Sequence, residues 1–359
     1  MNIKAFACGA LLLATATSQA FAQDHRGGPP KGVGAFQKNF GAAGLLTVWG
    51  QDDTYGGVQS RINNGFSHEA KAEATGVMSG YEDDISTLLL PISLLQGLPD
   101  GQSLIYSKLT LNANRGAENP TYSEGTLPSI LVSYLNMPSD NLAWGIGVVA
   151  QQADTEMKHN GGNIDSTSAG LRGDLLYVMN DNWAMAHRVI ASWGDATTEI
   201  PTPVGTISED RSSSLFYYQG DLVGTYTDRD MSALGDGWVF HPRLGVVAQH
   251  ITRDEATNSR GATVSEAQID YGMVQAIARI EKPTFKPGDW SPQFELGMKH
   301  EFENSVGEYM DEENYLYSQI ALGTKLENGA YFNAAYTRDD GFNGNRRTQT
   351  FKLIYSMSF

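Results

Sequence analysis

The sequence predicts an all-β chain that closes into a transmembrane antiparallel up-and-down β-barrel. Three observations predict it: a secretory leader, long segments that alternate apolar with polar residues, and an aromatic-ended last strand. In that strand Phe351, Leu353, Tyr355, Met357 and Phe359 share one face, while Thr350, Lys352, Ile354, Ser356 and Ser358 share the other. Side chains on a strand alternate with period two, so the first face needs hydrocarbon or a packed sheet against it.

The leader comes first. Lys4 begins it, Ala5 to Thr15 form an apolar run, and Ala20-Phe21-Ala22 places small residues at −3 and −1 before Gln23. The run falls short of the roughly 20 residues that a membrane-spanning helix needs. Residues 1–22 therefore read as a cleaved Sec-type signal peptide, directing the chain to the outer membrane of a Gram-negative bacterium. Cys8, the single cysteine, lies within it, which excludes disulfides and thiolate metal sites from the mature chain. With 25 basic against 41 acidic residues, a formal charge of −16, nucleic acid is excluded as a partner.

Residues 23–101 form an N-terminal extension, a candidate lumen plug or short linker. Asp24 to Lys38 is rich in Gly and Pro. His68 to Met78 suits a short helix or a strand, and Ile85 to Leu95 is apolar but broken by Pro91, which favours an edge, a bend or a strand end. From 102 to 359 the chain reads as barrel. Strands are expected near 103–115, 127–137, 143–157, 164–178, 183–198, 211–226, 237–253, 265–280, 291–303, 313–326, 330–338 and 348–359. That makes twelve, or fourteen if two earlier segments join them.

Several strands alternate cleanly. Trp290, Phe294, Leu296, Met298 and Phe302 fall outward, as do Val189 and Trp193 on an earlier strand and Phe216 and Tyr218 on the next. Such strands exceed the five or six residues usual in a sandwich. Turn chemistry marks one rim, at Asn136 to Asp140, Met179 to Asn182 and Glu327 to Gly329. Longer polar loops mark the other, near 116–126, 199–210, 254–264, 304–312 and 339–347, the asymmetry of a bacterial outer-membrane barrel, although two joints on the first rim, near 227–236 and 281–289, are longer than that rule expects. Trp144, Trp183, Trp238, Trp290, Tyr309 and Tyr315 near strand ends suit interfacial girdles.

The C-terminal part carries landmarks in order: Trp238-x-Phe240-x-Pro242-x-x-Gly245-Val246, then Tyr271-Gly272. Trp290-x-Pro292-x-Phe294-x-Leu296-Gly297, Lys299-His300-Glu301-Phe302 and the aromatic end follow. Across about 125 residues this resembles the translocator β-domain of autotransporters, as a solitary barrel without a large passenger. The resemblance implies twelve strands, both barrel ends at the periplasmic side, and a last strand (Phe351, Leu353, Tyr355, Met357, Phe359) read by the barrel-assembly machinery. Outer-membrane lipid and lipopolysaccharide are the other expected partners, around a monomer.

No cofactor and no metal site is expected, since the seven His lack a spacing such as HExxH. His250 and His300 fall on the lipid side near a rim, and His241 falls on the lumen side beside Arg243. Asp254-Glu255 after His250 is the nearest approach to a nucleophile–base–acid set, and no catalytic residue is assigned. The candidate site is the charged lining of the lumen: Lys108, Arg172, Asp174, Arg188, Asp221, Arg243, Glu295, Lys299, Glu301, Lys325 and Lys352. Mixed signs there suit an ion-pair network that fills the lumen, or charge rings of a conduit. Asp311, Glu312, Glu313, Asp339 and Asp340 are expected in acidic loops that meet divalent cations. A structural or pore role leads; a ligand-binding surface barrel and a membrane-embedded hydrolase are the rivals.

Overall fold

The computed structural model describes residues 51, 54–59, 61–62, 83–100, 102–116, 123–139, 141–158, 161–283, 286–305 and 312–358. The leader, the Gly/Pro-rich stretch, the segment His68 to Met78, Asp311 and Phe359 lie outside the described residues. Alternation becomes strand nearly everywhere else. The first strands are β1 (Asp83–Gly97), β2 (Ser103–Gly116), β3 (Ser123–Thr126), β4 (Ser129–Ser139), β5 (Leu142–Met157) and β6 (Gly162–Val178). There follow β7 (Trp183–Ile200), β8 (Ile207–Gly224), β9 (Tyr226–Thr227), β10 (Val239–Arg253), β11 (Ala256–Thr257) and β12 (Thr263–Val264). The last are β13 (Ala267–Glu281), β14 (Trp290–Asn304), β15 (Asn314–Lys325), β16 (Tyr331–Gly341) and β17 (Arg346–Ser358).

Thirteen of these close a barrel: β1, β2, β4, β5, β6, β7, β8, β10, β13, β14, β15, β16 and β17, each paired with the next and β17 with β1. The count corrects the expected twelve or fourteen. All twelve expected strands are present with shifted ends, and β1 is the thirteenth, drawn from the segment read as an extension. Neighbours run antiparallel except β1 and β17, which run parallel.

Pro91 sits in the middle of β1 rather than at an edge or end. The β1–β17 register passes from Leu89↔Lys352 to Ile92↔Tyr355, with Leu90 and Pro91 unpaired on that side. The missing proline N–H thus falls where the ladder is already open. On its other side β1 pairs continuously with β2, Pro91 opposite Thr110.

One rim carries tight joints. Asn180 Oδ1 accepts from the N–H groups of Asn182 (3.0 Å) and Trp183 (2.9 Å) between β6 and β7. Gly329, at φ +84°, turns β15 into β16. Asp100 accepts from Gln102 and Ser103 between β1 and β2, and bonding from Ser103 holds its carboxyl below the usual 3.8. We call this the lower rim. The upper rim carries long connections between β2 and β4, β10 and β13 (with the β11–β12 hairpin), and β14 and β15, while the lower rim has two of its own, 225–238 and 282–289. The hairpin between β16 and β17 is shorter than expected, because β16 runs on to Gly341.

Large apolar side chains line the outside: Ile146, Leu171, Trp193, Phe216, Leu296, Met298, Phe302 and Ile320 are each more than half exposed. Inside, the lower end on the β2–β8 side is filled by Leu95, Leu104, Tyr106, Leu131 and Leu135, and by Ala143, Leu176, Val178, Ala184 and Val223.

Candidate functional site in the lumen

A helical segment occupies the lumen: residues 54–59 and 61–62, with Gln51 also helical. Val58 and Ile62 pack against the inward side chains Tyr217, Val247, Ile251, Ile269, Tyr271 and Met273. Tyr55 meets the Tyr217 ring edge-on, with centroids 4.9 Å apart. Such burial anchors one face of the helix much as a core would.

Polar contacts grade the segment along the barrel axis. Gln51 Nε2 donates to Asp221 Oδ2 at 3.0 Å, in the lower half. Gln59 Nε2 donates to Gln249 Oε1 at 2.5 Å, nearer the upper rim. Arg61 pairs with Glu301 and, at 2.8 Å, with Asp339, both near the upper ends of β14 and β16. Its guanidinium also lies 4.4 Å over the Tyr315 ring. The segment therefore runs from the lower half upward.

The expected lumen residues fall into several groups. Arg172 Nε donates to Asp174 Oδ2 at 2.6 Å and Arg188 Nε to Asp174 Oδ1 at 2.9 Å, all three buried. Asp221 also accepts from Gln219 at 2.8 Å and faces Arg243 Nε at 3.7 Å. Arg346 joins Glu301 at 3.4 Å, and Lys299 joins Asp339 at 2.9 Å. Lower down, Glu295 accepts from Tyr317 (2.9 Å) and lies 3.5 Å from Arg279, which holds Glu281. Lys352 is buried, Lys108 half-buried, and Lys325 half-buried at the lower end of β15, apart from these groups.

Charges of both signs thus lie side by side through the lumen, most of them paired. A cavity of about 70 Å³ remains between Gly56, Gly57, Arg243, Lys299, Asp339 and Lys352, room for roughly two waters. Toward the upper rim a polar recess of about 120 Å³ is lined by Gln59, Gln151, Ser166, Ser168, Ser192 and Ser213.

The acidic residues expected in loops divide. Asp339 is a buried partner of Arg61 and Lys299, not a loop residue. Asp340 faces outward between Arg338 (2.5 Å) and Arg347 (2.9 Å). Glu312 is buried and accepts from the N–H groups of Asn343 (3.0 Å) and Asn345 (3.3 Å), holding the β16–β17 hairpin. Glu313 is exposed. No cluster suited to a metal ion occurs among the described residues.

His241 is buried beside Glu281, 3.6 Å from Nε2, and His300 meets Asn314. Asp254 and Glu255 are exposed. His250 takes its partners instead from Asp270 on β13 and Thr252 on its own strand. Sequence reasoning missed Asp270 because it lies on a neighbouring strand. Arg61, Gln51 and Gln59 were missed because an isolated polar triplet in a short segment has no periodic signal.

A family model described as the autotransporter beta-domain matches residues 111–349. The fold is similar to the translocator domain of the autotransporter NalP from Neisseria meningitidis (TM-score 0.52, 8% identity, 66% of this chain and 82% of that one). It is similar also to the beta domain of the Bordetella autotransporter Brka (TM-score 0.51, 12% identity, 71% and 96%). No curated protein matches the chain by sequence. With two thirds of its length matched by that model, the chain belongs to the autotransporter β-domain family, outer-membrane barrels of Gram-negative bacteria.

Proposed function

We propose that this barrel is a closed outer-membrane pore whose lumen is plugged by its own helical segment, and that it exports no large passenger. The observation that carries the reading is the direction of that segment. Gln51 lies beside Asp221 in the lower half, and Arg61 lies beside Glu301 and Asp339 in the upper half. Short turns face the periplasm in such barrels and long loops face the outside. In this reading the Gln51 end of the segment is the one nearer the periplasm. A passenger threaded outward would need the opposite polarity.

Residues 1–22 fit this scheme as a Sec signal peptide, and the last strand fits as the mark read by the barrel-assembly machinery. The lumen itself has no catalytic role in this reading, since its carboxylates sit against cations or amide and phenol donors.

Cysteine labelling tests the direction, because Cys8 is the chain's single cysteine and falls in the leader. With Cys8 replaced, a Q37C variant should react with a membrane-impermeant maleimide only after the outer membrane is permeabilised. An S259C control at the upper rim should react on intact cells. Labelling of Q37C on intact cells would show export and remove the proposal.

A further inference from the structure

The outer wall of the barrel carries a second feature, independent of the plug. On β10 the outward residues are Leu244, Val246, Ala248, His250 and Thr252, the first two exposed and apolar. His250 stands opposite Asp270 of β13 and Phe216 of β8. His250 Nδ1 lies 2.8 Å from Asp270 Oδ1, and His250 Nε2 lies 3.2 Å from Thr252 Oγ1. One tautomer satisfies both contacts: Nδ1–H donates to Asp270, and Nε2 accepts from the Thr252 hydroxyl. A hydroxyl within reach of a base that is itself oriented by an acid is the arrangement of an activated nucleophile.

The backbone that carries the acid is held in place, while its carboxylate stays open to the surface. Asp270 N–H donates to Ser305 Oγ at 2.9 Å, and the Ser305 N–H donates back to Asp270 O at 3.0 Å. Next to it the β13–β14 register shifts at Gly272, over which the Phe302 ring lies; a Cβ there would come within 2.2 Å of that ring. The extra residue is Phe302, so the bulge bends β14 beside the end of β13 that carries Asp270.

The surroundings define the substrate class. Trp193, Phe216 and Phe302 are each more than half exposed on the outer wall, and Trp193 stands opposite Ser214, which stands opposite Thr252. Exposed aromatic rings of this kind occupy the boundary between acyl chains and headgroups. Below His250 the wall is apolar, and above Thr252 the chain turns polar at Arg253, Asp254 and Glu255. The ester linkages of outer-leaflet lipid lie at that boundary, with water from above.

We propose that Thr252, His250 and Asp270 hydrolyse acyl esters of membrane lipid on the outer face of the barrel. Thr252 Oγ attacks the ester carbonyl carbon and His250 Nε2 takes its proton. The C–O bond to the alcohol breaks, and His250 returns that proton to the leaving alkoxide. Water, deprotonated by the same nitrogen, then attacks the threonyl ester, releasing fatty acid and restoring the hydroxyl. Asp270 holds the imidazole tautomer throughout. Gln268 and Ser214, opposite Thr252 on its two neighbouring strands, are placed to donate to the oxyanion.

The test uses the purified full chain with p-nitrophenyl decanoate in mixed micelles, and fatty-acid release from phosphatidylethanolamine vesicles. Thr252→Val and His250→Asn should each lower turnover at least about 100-fold, and Thr252→Ser should keep it. Asp270→Asn should lower the turnover number more than it changes the Michaelis constant. Mass analysis after a fluorophosphonate probe should find the adduct on Thr252. Unchanged SDS resistance of the folded barrel excludes misfolding as the cause. Wild-type turnover no higher than protein-free micelles, or Thr252→Val within twofold of wild type, would overturn the proposal without touching the plugged pore.

Discussion

Arg61→Ala should unlatch the helical segment. Arg61 is nearly sealed from solvent, as is its partner Glu301, with side-chain exposures of 4% and 1%. Removing one member of a buried pair costs about 3–5 kcal/mol, chiefly because the other charge is left buried alone. Here Glu301 keeps Arg346 at 3.4 Å and Asp339 keeps Lys299 at 2.9 Å, so neither carboxylate is orphaned. The cost therefore falls below that range, to about 1.5–3 kcal/mol for lost charged hydrogen bonds. At a factor of ten per about 1.4 kcal/mol, the ratio of open to closed lumen rises by roughly one to two decades. Planar-bilayer recording measures this directly: wild type should be silent or flicker rarely, and Arg61→Ala should dwell open. Arg61→Lys, which keeps the charge but loses the planar fork, should fall between them. A correctly folded Arg61→Ala barrel as silent as wild type would refute the latch.

Other perturbations should act in stated directions. Gly56 and Gly57 lie in the helical segment, and a Cβ at either would meet nothing within 4 Å, so the double alanine variant should stabilise the helix by about 1 kcal/mol per site. Recorded alone or on the Arg61→Ala background, it should shorten open times; lengthened ones would contradict the plug. Pro91→Val puts back an N–H where the β1–β17 ladder is open, so it should lower the temperature at which the barrel loses SDS resistance, by an amount corresponding to about 1 kcal/mol. A rise in that temperature would show that the new donor finds an acceptor and that the proline makes the gap. Asp100 has a lowered pKa in the β1–β2 turn, so its stabilising effect is present above 3.8 and fades as pH falls through the lowered value. An Asp100→Asn variant should therefore lose stability relative to wild type at neutral pH, with the gap closing in acid, as read by SDS resistance against pH.

Period-two alternation was legible wherever a strand separates lipid from a polar interior. On β14, Trp290, Phe294, Leu296, Met298 and Phe302 are all exposed, as the pattern requires. It failed where both faces of a strand carry polar groups. Asp339 and Asp340 read as loop, yet Asp339 points inward to Arg61, while Asp340 faces outward and pairs with Arg338 along the rim. β1 was hidden by Pro91, since a proline normally signals an edge, and only the register shows that its missing donor meets a gap. Partner choice was least legible. Arg61 and Asp339 are separated by 278 residues, and no local pattern says which carboxylate closure of a barrel will bring to which cation.

The strand count and the direction of β1 are one constraint. Around a closed barrel, antiparallel neighbours alternate up and down, so an odd number of strands forces one parallel pair. Here that pair is β1 with β17. β17 must descend, because β16 rises from the lower-rim turn at Gly329. β1 descends beside it from the upper rim, where Asp83 starts opposite Arg346. A first strand that entered from the lower rim would rise, all pairs would be antiparallel, and an even count would follow. An antiparallel β1–β17 register, detected by cross-linking cysteines placed at positions 86 and 356 rather than 86 and 349, would overturn the odd count.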